Sequence, residues 1–257
     1  MTRVSDKPVL VLKIGGNQVE DEAFLAEFVT VVRQLLADYG VIIVHGGGKE
    51  IADLHVQAGV AYETIQGLRV TSEESLRLVE MVLNGLVNTR LVRWLVKAGV
   101  SAIGMTGVDL GLVRVTPLSV SGQSLGRVGR VERVNGEALF QLLDLDLVPV
   151  ISPVSLGEDG LTYNVNADHV AAGVACAVEA GRLVFVSNVP GVQVAGRTVR
   201  ALTVSEVEGL ISDNIVTGGM IPKVRSATEA VASGVHQAVI TDLDGLARGG
   251  GTAVVLG

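Results

Sequence analysis

The sequence predicts an α/β fold in which a mainly parallel sheet is covered on both faces by helices. Three observations carry that prediction. Strand-like and helix-like segments alternate along most of the 257 residues, and right-handed crossovers make successive strands parallel. The strand-like runs are nearly all apolar, as strands buried on both faces must be. The apolar residues are chiefly Val, Leu, Ala and Ile, with 32 glycines and only 3% aromatics, a composition suited to sheet packed between helices.

The elements follow in order. Val9–Ile14 is a strand that leads through Gly15-Gly16 into an amphipathic helix over residues 21–39, stopped by Gly40. Residues 41–44 form the next strand, which Gly46-Gly47-Gly48 turns into a helix over 50–58, stopped by Gly59. Thr71-Ser72-Glu73-Glu74 reads as a capping box that opens a long helix ending near Ala98-Gly99. From Leu76 to Leu95 this helix is so widely apolar that it must be buried on more than one side, inside the core or against a second subunit. A strand is expected at 101–105, and residues 112–134 alternate as short antiparallel strands with Gly-rich turns. Helix Gly136–Asp144 and strand 148–152 restore the α/β rhythm. Then come helix 167–180, strand 183–187, helices 204–211 and 221–233, strand Ala238–Thr241 and a last strand at 253–256. No shift in composition marks a linker and no repeat is visible, so a single domain over 1–257 is expected.

A net charge of −7 argues against non-specific nucleic-acid binding, which needs clustered Lys and Arg. The single cysteine, Cys176, excludes an intrachain disulfide framework and reads as small core filler. The first ten residues hold no signal-peptide hydrophobic region, and no uncharged apolar run could span a membrane, so a cytoplasmic protein is expected.

Chemistry enters at His45-Gly46-Gly47-Gly48-Lys49. Three glycines between a strand and a helix let the backbone approach a ligand and aim N–H groups at it, and the helix end favours an anion. A P-loop is excluded because Glu50 stands where the magnesium-binding hydroxyl belongs; Gly15-Gly16-Asn17 lacks the dinucleotide G-x-G-x-x-G spacing. Lys13 ends an apolar strand, where its ammonium either finds an anion or snorkels to solvent. Lys223, in Gly218-Gly219-Met220-Ile221-Pro222-Lys223, falls in a first helical turn. A cation there opposes the dipole unless an anion is held at the same end; a solvated surface lysine is the alternative. Asp168 closes Asn164-Val165-Asn166-Ala167-Asp168, a cluster whose first reading is helix capping. A carboxylate between two lysines is its second. Arg69 suits bidentate carboxylate recognition. Ser187-Asn188-Val189-Pro190-Gly191 is a polar loop at a strand end, for a nucleotide or simply for a turn. His45 reads as structural, and no His/Cys spacing suggests structural zinc.

Taken together, Lys13-Ile14-Gly15-Gly16, His45-Gly46-Gly47-Gly48, Gly67-Leu68-Arg69-Val70-Thr71, Asn164-Val165-Asn166-Ala167-Asp168 and Gly218-Gly219-Met220-Ile221-Pro222-Lys223 resemble, in order and spacing, the N-acetylglutamate kinases of the amino acid kinase family. The resemblance spans essentially the whole chain. It implies a three-layer α/β/α sandwich with an N-terminal lobe over about 1–180, for the amino acid and dimerisation, and a C-terminal lobe over about 181–257 for the nucleotide. It implies transfer of the ATP γ-phosphoryl to the side-chain carboxylate of N-acetyl-L-glutamate, in arginine biosynthesis. Lys13 and Lys223 would stabilise the phosphoryl group, with Asp168 organising both. Gly47, Gly48, Arg69 and Asn164 would hold the substrate. Gly15, Gly16, Ser187, Asn188, Gly191, Gly218, Gly219 and Met220 would lie on the nucleotide side. Magnesium would be held mainly by phosphates and water, with no protein metal ligand. Asn188 departs from the Asp that many relatives carry. Only twelve residues precede Lys13, whereas arginine-inhibited members carry an additional N-terminal helix that joins dimers into a hexamer; an arginine-insensitive homodimer is therefore expected. The competing implications are a kinase of carrier-protein-bound α-aminoadipate, or a non-catalytic amino-acid-binding regulator with the same fold.

Overall fold

The computed structural model describes residues 7–16, 18–65 and 68–257, with the backbone alone at Leu68 and Arg69. In chain order the elements are β1 (Val9–Ile14), α1 (Glu22–Leu35), β2 (Gly40–His45), α2 (Gly48–Ala58) and a small hairpin, β3 (Thr64–Ile65) and β4 (Leu68–Arg69). There follow α3 (Glu73–Glu80), a π-helical segment (Met81–Val87) and α4 (Asn88–Lys97), which form one continuous helical run, then β5 (Ala102–Gly107), β6 (Val113–Val120) and β7 (Gln123–Val134). Next are α5 (Gly136–Asp144), β8 (Val148–Gly157), β9 (Thr162–Asn164), α6 (Ala167–Ala177) and β10 (Arg182–Val186). The chain ends with β11 (Gln193–Val194), β12 (Arg197–Thr198), β13 (Ala201–Thr203), α7 (Val204–Ser212), α8 (Met220–Ala232), β14 (Ala238–Thr241), α9 (Leu243–Arg248) and β15 (Thr252–Val255).

Eleven strands join one sheet in the order β13-β15-β14-β10-β1-β2-β8-β6-β7-β9, with β5 on β8. Its centre is parallel: β14, β10, β1, β2 and β8 all run the same way. The β6–β7 hairpin is antiparallel, as the alternation over 112–134 predicts. Strand residues divide by parity between two cores. Val9, Val11, Ile42, Val44, Leu183 and Phe185 face the layer built from α5, α6, α7 and α8. Leu10, Leu12, Val41, Ile43, Val184 and Val186 face the layer of α1, α3, α4 and α9. A period of two with both faces apolar is the signature of a doubly covered sheet, so the expected α/β/α sandwich is what forms. Among the described residues no helix is long and apolar enough to cross a membrane.

Several expectations about element ends change. The capping box expected at Thr71–Glu74 is absent, because Thr71 bridges Gly126 and its backbone bonds Leu125 and Arg127. Ser72 caps the helix instead, its Oγ accepting from Ser75 N at 3.0 Å, and the third helical residue is therefore serine rather than glutamate. A full capping box occurs at Thr203 and Glu206. Helix α1 stops at Leu35, and residues to Tyr39 tighten into turns whose N–H groups reach back three and four residues. α6 stops at Ala177, since Glu179 adopts a left-handed φ of 48°. The helical run from Glu73 to Lys97 buries one face, with Val79, Val87, Leu91 and Leu95 fully enclosed, while Met81, Leu86 and Val96 remain exposed. Cys176 sits at the core margin rather than within it, its thiol donating to Ser233 O at 3.3 Å.

Candidate active site

The candidate residues converge at the middle of the sheet. β1 lies between β10 and β2, so the strand that follows it in the chain lies on one side and a strand from the C-terminal third on the other. The C-terminal ends of such strands open a crevice that receives ligands in open α/β sheets. Parity decides where Lys13 points: two residues beyond Val11, it faces the α6–α8 layer, and α6 begins there. Lys13 Nζ lies 2.7 Å from Asp168 Oδ1, with both side chains 19% exposed. The contact is an ion pair outside hydrogen-bond angles, which leaves Oδ1 without a hydrogen-bond donor among the described residues. Capping of α6 falls to Asn166, whose Oδ1 accepts from Asp168 N at 2.8 Å. The Asn/Asp cluster thus does cap a helix, but through Asn166, and the Asp168 carboxylate is left for other work. Its Oδ2 accepts from Ser226 Oγ on α8 at 2.6 Å.

Lys223 is the fourth residue of α8. Its Nζ donates to Asn188 Oδ1 at 3.3 Å, rather than to Asp168. Burial, and secondly the Lys13 ammonium, hold its pKa below the ordinary lysine value. The second cause means that the two ammonium groups repel each other, a strain that an anion between them relieves.

Two cavities share Lys13. One, of about 310 Å³, is lined by Gly16, Gly47, Gly48, Asn164 and Asn166 together with apolar Ile51 and Leu83. The other, of about 230 Å³, is lined by Gly15, Gln18, Ser187, Gly219 and Lys223 beside Lys13 and Asp168. Asn188 reaches the second through Lys223. Gly191, Gly218 and Met220 do not line it. Gly191 has a φ of 138°, and a Cβ there would lie 2.5 Å from Thr252 Oγ1, so it serves the turn. Met220 packs against the core. The Arg69 backbone pairs with Thr64 in the β3–β4 hairpin; its side chain, and all of Gly67, lie outside the described residues. Asn164 Nδ2 donates to Thr71 Oγ1 at 3.3 Å, which brings Asn164 against the segment that bears Arg69. Among the described residues no group of three or more His, Cys, Asp or Glu stands together as a metal site.

The glycines have separate reasons. A Cβ on Gly16 would lie 2.5 Å from Gly48 N and 2.9 Å from Gly47 C, so the two glycine turns touch through their backbones. A Cβ on Gly47 would meet Leu83 Cδ2 at 2.8 Å, on the π-helical segment. Gly48 faces open space. His45 holds this turn from below. It is fully buried, Asn88 Nδ2 lies 3.1 Å from its Nε2, and its Nδ1 lies 3.1 Å from Gly46 O. Asn88 Nδ2 also donates to Val150 O at 2.9 Å, which orients the amide. Nε2 must therefore accept, and the neutral ring carries its proton on Nδ1, donating to Gly46 O.

Burial lowers the His45 pKa to about 4 from 6.5. The unfolded chain binds this proton more readily, so the contribution is fully present above pH 6.5 and lost as pH falls towards 4. The loss over that window is about 3 kcal/mol. Urea unfolding at pH 7 and pH 4.5 is expected to show a smaller acid-induced loss in His45→Gln than in the wild type; equal losses would contradict a buried neutral ring.

Gln18 and Ser226 escape sequence reasoning. Gln18 Nε2 donates to Val186 O at 3.1 Å, tying the first glycine turn to the end of β10. Ser226 was findable only as the residue one turn beyond Lys223 on the same helix.

The sequence pattern of the amino acid kinase family matches residues 8–242. The chain is 49% identical over 249 residues to an acetylglutamate kinase of Roseiflexus sp. (strain RS-1), covering 97% of this chain and 94% of that one. It is 44% identical over 252 residues to an acetylglutamate kinase of Methanopyrus kandleri, covering 95% and 99%. Among solved structures, smu.665 from Streptococcus mutans UA159 superimposes with a TM-score of 0.83 at 32% identity, covering 97% of this chain and 99% of that one. With this sequence match over most of its length, and the same backbone course in a solved relative, the chain belongs to the amino acid kinase family.

Proposed function

We propose that the protein phosphorylates the side-chain carboxylate of N-acetyl-L-glutamate with ATP, giving the acyl phosphate used in arginine biosynthesis. The relatives that match most of the chain are acetylglutamate kinases, and one observation carries the chemistry: Lys13 stands between two cavities, one walled by the glycine turn and Asn164, the other by Lys223 and Ser187. The first suits the amino acid, the second the nucleotide phosphates. The acceptor carboxylate is ionised at neutral pH, so no general base is needed. What remains is to align two anions and neutralise the charge that spreads over the transferring phosphoryl group.

Lys13 and Lys223 meet that charge from the two sides, Asp168 fixes Lys13, and Asn188 holds Lys223 until the phosphates arrive. Gly16, Gly47 and Gly48 bring backbone N–H groups to the acceptor, while Arg69 and Asn164 take its α-carboxylate and acetamido end. Gly15 and Gly219 line the phosphate path. Magnesium would be held by the phosphates and water, since Asp168 is already engaged by Lys13 and Ser226; when bound it neutralises phosphate charge. The residues after 181 place β10, β13, β14 and β15 on one side of β1, which favours a nucleotide lobe over about 181–257 and a substrate lobe over about 1–180. Exposed Met81, Leu86 and Val96 favour a homodimer through the long helical run, joined by Ile103 of β5; light scattering on the wild type and on Leu86→Glu is expected to give a dimer and a monomer respectively.

A coupled ADP-release assay tests the reaction. Turnover is expected with N-acetylglutamate and not with glutamate, aspartate or carbamate. Binding of an acceptor with no turnover would favour a regulator instead. The alkaline limb of kcat/KM is expected below the ordinary lysine range, because the lowered Lys223 pKa lets the charge go as pH rises. Lys223→Arg keeps its charge and is expected to carry that limb to higher pH; an unmoved limb would assign it elsewhere.

A further inference from the structure

We infer that Ser226 is a positioning residue that couples the two lysines by fixing Asp168 from the helix that carries Lys223. The inference rests on the kinase reading of the same site and goes beyond it by adding a residue. Ser226 Oγ donates to Asp168 Oδ2 at 2.6 Å, while Asp168 Oδ1 faces Lys13 Nζ at 2.7 Å. The carboxylate is thus held by two contacts, one to each oxygen: a charge on β1 and a hydroxyl on α8. Without the hydroxyl only the ion pair to Lys13 holds the carboxylate, and a charge contact outside hydrogen-bond angles fixes its direction poorly. Lys223 stands three residues before Ser226, so the two lie on one face of α8. Asp168 does not reach Lys223 itself. Ser226 supplies the missing link, so that movement of α8 carries the second lysine and the holder of the first lysine's partner together.

The bond is not needed to keep α6 against α8. His169 Nε2 lies 3.2 Å from Glu229 Oε2 between the same helices, and Val170, Val174, Val224 and Ala227 are fully buried around them. A cavity of about 740 Å³ beside Ser226 and Asp168, lined also by Ala172 and Gly173, leaves room for an added methyl. Ser226→Ala therefore removes the hydroxyl from a helix that stays in place, and Ser226→Thr returns it.

The test is steady-state kinetics on wild type, Ser226→Ala, Ser226→Thr, Asp168→Asn and the Ser226→Ala/Asp168→Asn double variant, with thermal unfolding of each. Wild-type turnover with N-acetylglutamate is read first, and its absence would remove the kinase reading rather than the role of Ser226. Given turnover, Ser226→Ala is expected to lower kcat roughly tenfold to a hundredfold, with both KM values within about threefold. Ser226→Thr is expected to recover most of that loss. In the Asp168→Asn background, Ser226→Ala is expected to cost little more, because a residue that acts through another has nothing left to act on. A wild-type kcat in Ser226→Ala overturns the inference. So do equal losses in the Ala and Thr variants, or losses that multiply in the double variant.

Discussion

Asp168→Asn is expected to lower kcat about a hundredfold while the KM values and the fold change little. The substitution keeps the shape and an oxygen to accept from Ser226, and leaves the Asn166 cap of α6 untouched. What it removes is the charge 2.7 Å from Lys13 Nζ. A lysine side chain has several free torsions, and a neutral amide holds its ammonium less firmly than a carboxylate. Misplacing that ammonium by about 1 Å is felt in the transition state, where phosphoryl charge is spread, more than in the ground state. Stopped-time assays of kcat with circular dichroism as the control decide it; unchanged kcat would take Asp168 out of the mechanism.

Gly16→Ala is expected to damage stability and activity together. Its Cβ would lie 2.5 Å from Gly48 N and 2.9 Å from Gly47 C, and both are backbone atoms with no rotamer to yield. The two glycine turns must part, at a cost of about 1–3 kcal/mol for overpacking. The same displacement pulls the N–H groups of the triple glycine away from the acceptor, so kcat/KM is expected to fall by about two orders of magnitude or more. Gly48→Ala is the contrast, since its Cβ meets no atom within 4 Å and its Tm is expected to hold. A Gly16→Ala enzyme with wild-type Tm and kcat/KM would mean that the turns do not bear on each other.

Much of this was legible before any coordinates. Parallel strands buried on both faces leave an unmistakable apolar run, so β1 and β14 fall at the residues expected, and the helical period places α5 likewise. The lysines and glycine turns stood out because charge at the end of a buried strand and glycines between strand and helix are both costly without a ligand. Short strands of two or three residues, β3, β4, β9 and β11 to β13, were not legible, because two or three residues show no period. The Ser72 cap was misplaced by one residue, since only the sheet contact of Thr71 with Gly126 decides which hydroxyl is free.

By itself the sequence determined the layered α/β architecture, the family and the residue types needed to bring a carboxylate and a phosphoryl group together. Those follow from local periodicity and from chemistry that a few side chains must carry. The tertiary structure decided the partners. Only folding sets Asp168 between Lys13 and Ser226, gives Lys223 to Asn188, and buries His45 under the glycine turn against Asn88. The triple glycine, read along the chain, is an anion loop. In the fold two of its glycines are also close-packed surfaces, one against Gly16 and one against Leu83. Sequence patterns record what each segment needs; contacts between segments far apart in the chain depend on how layers stack, and no local pattern encodes that.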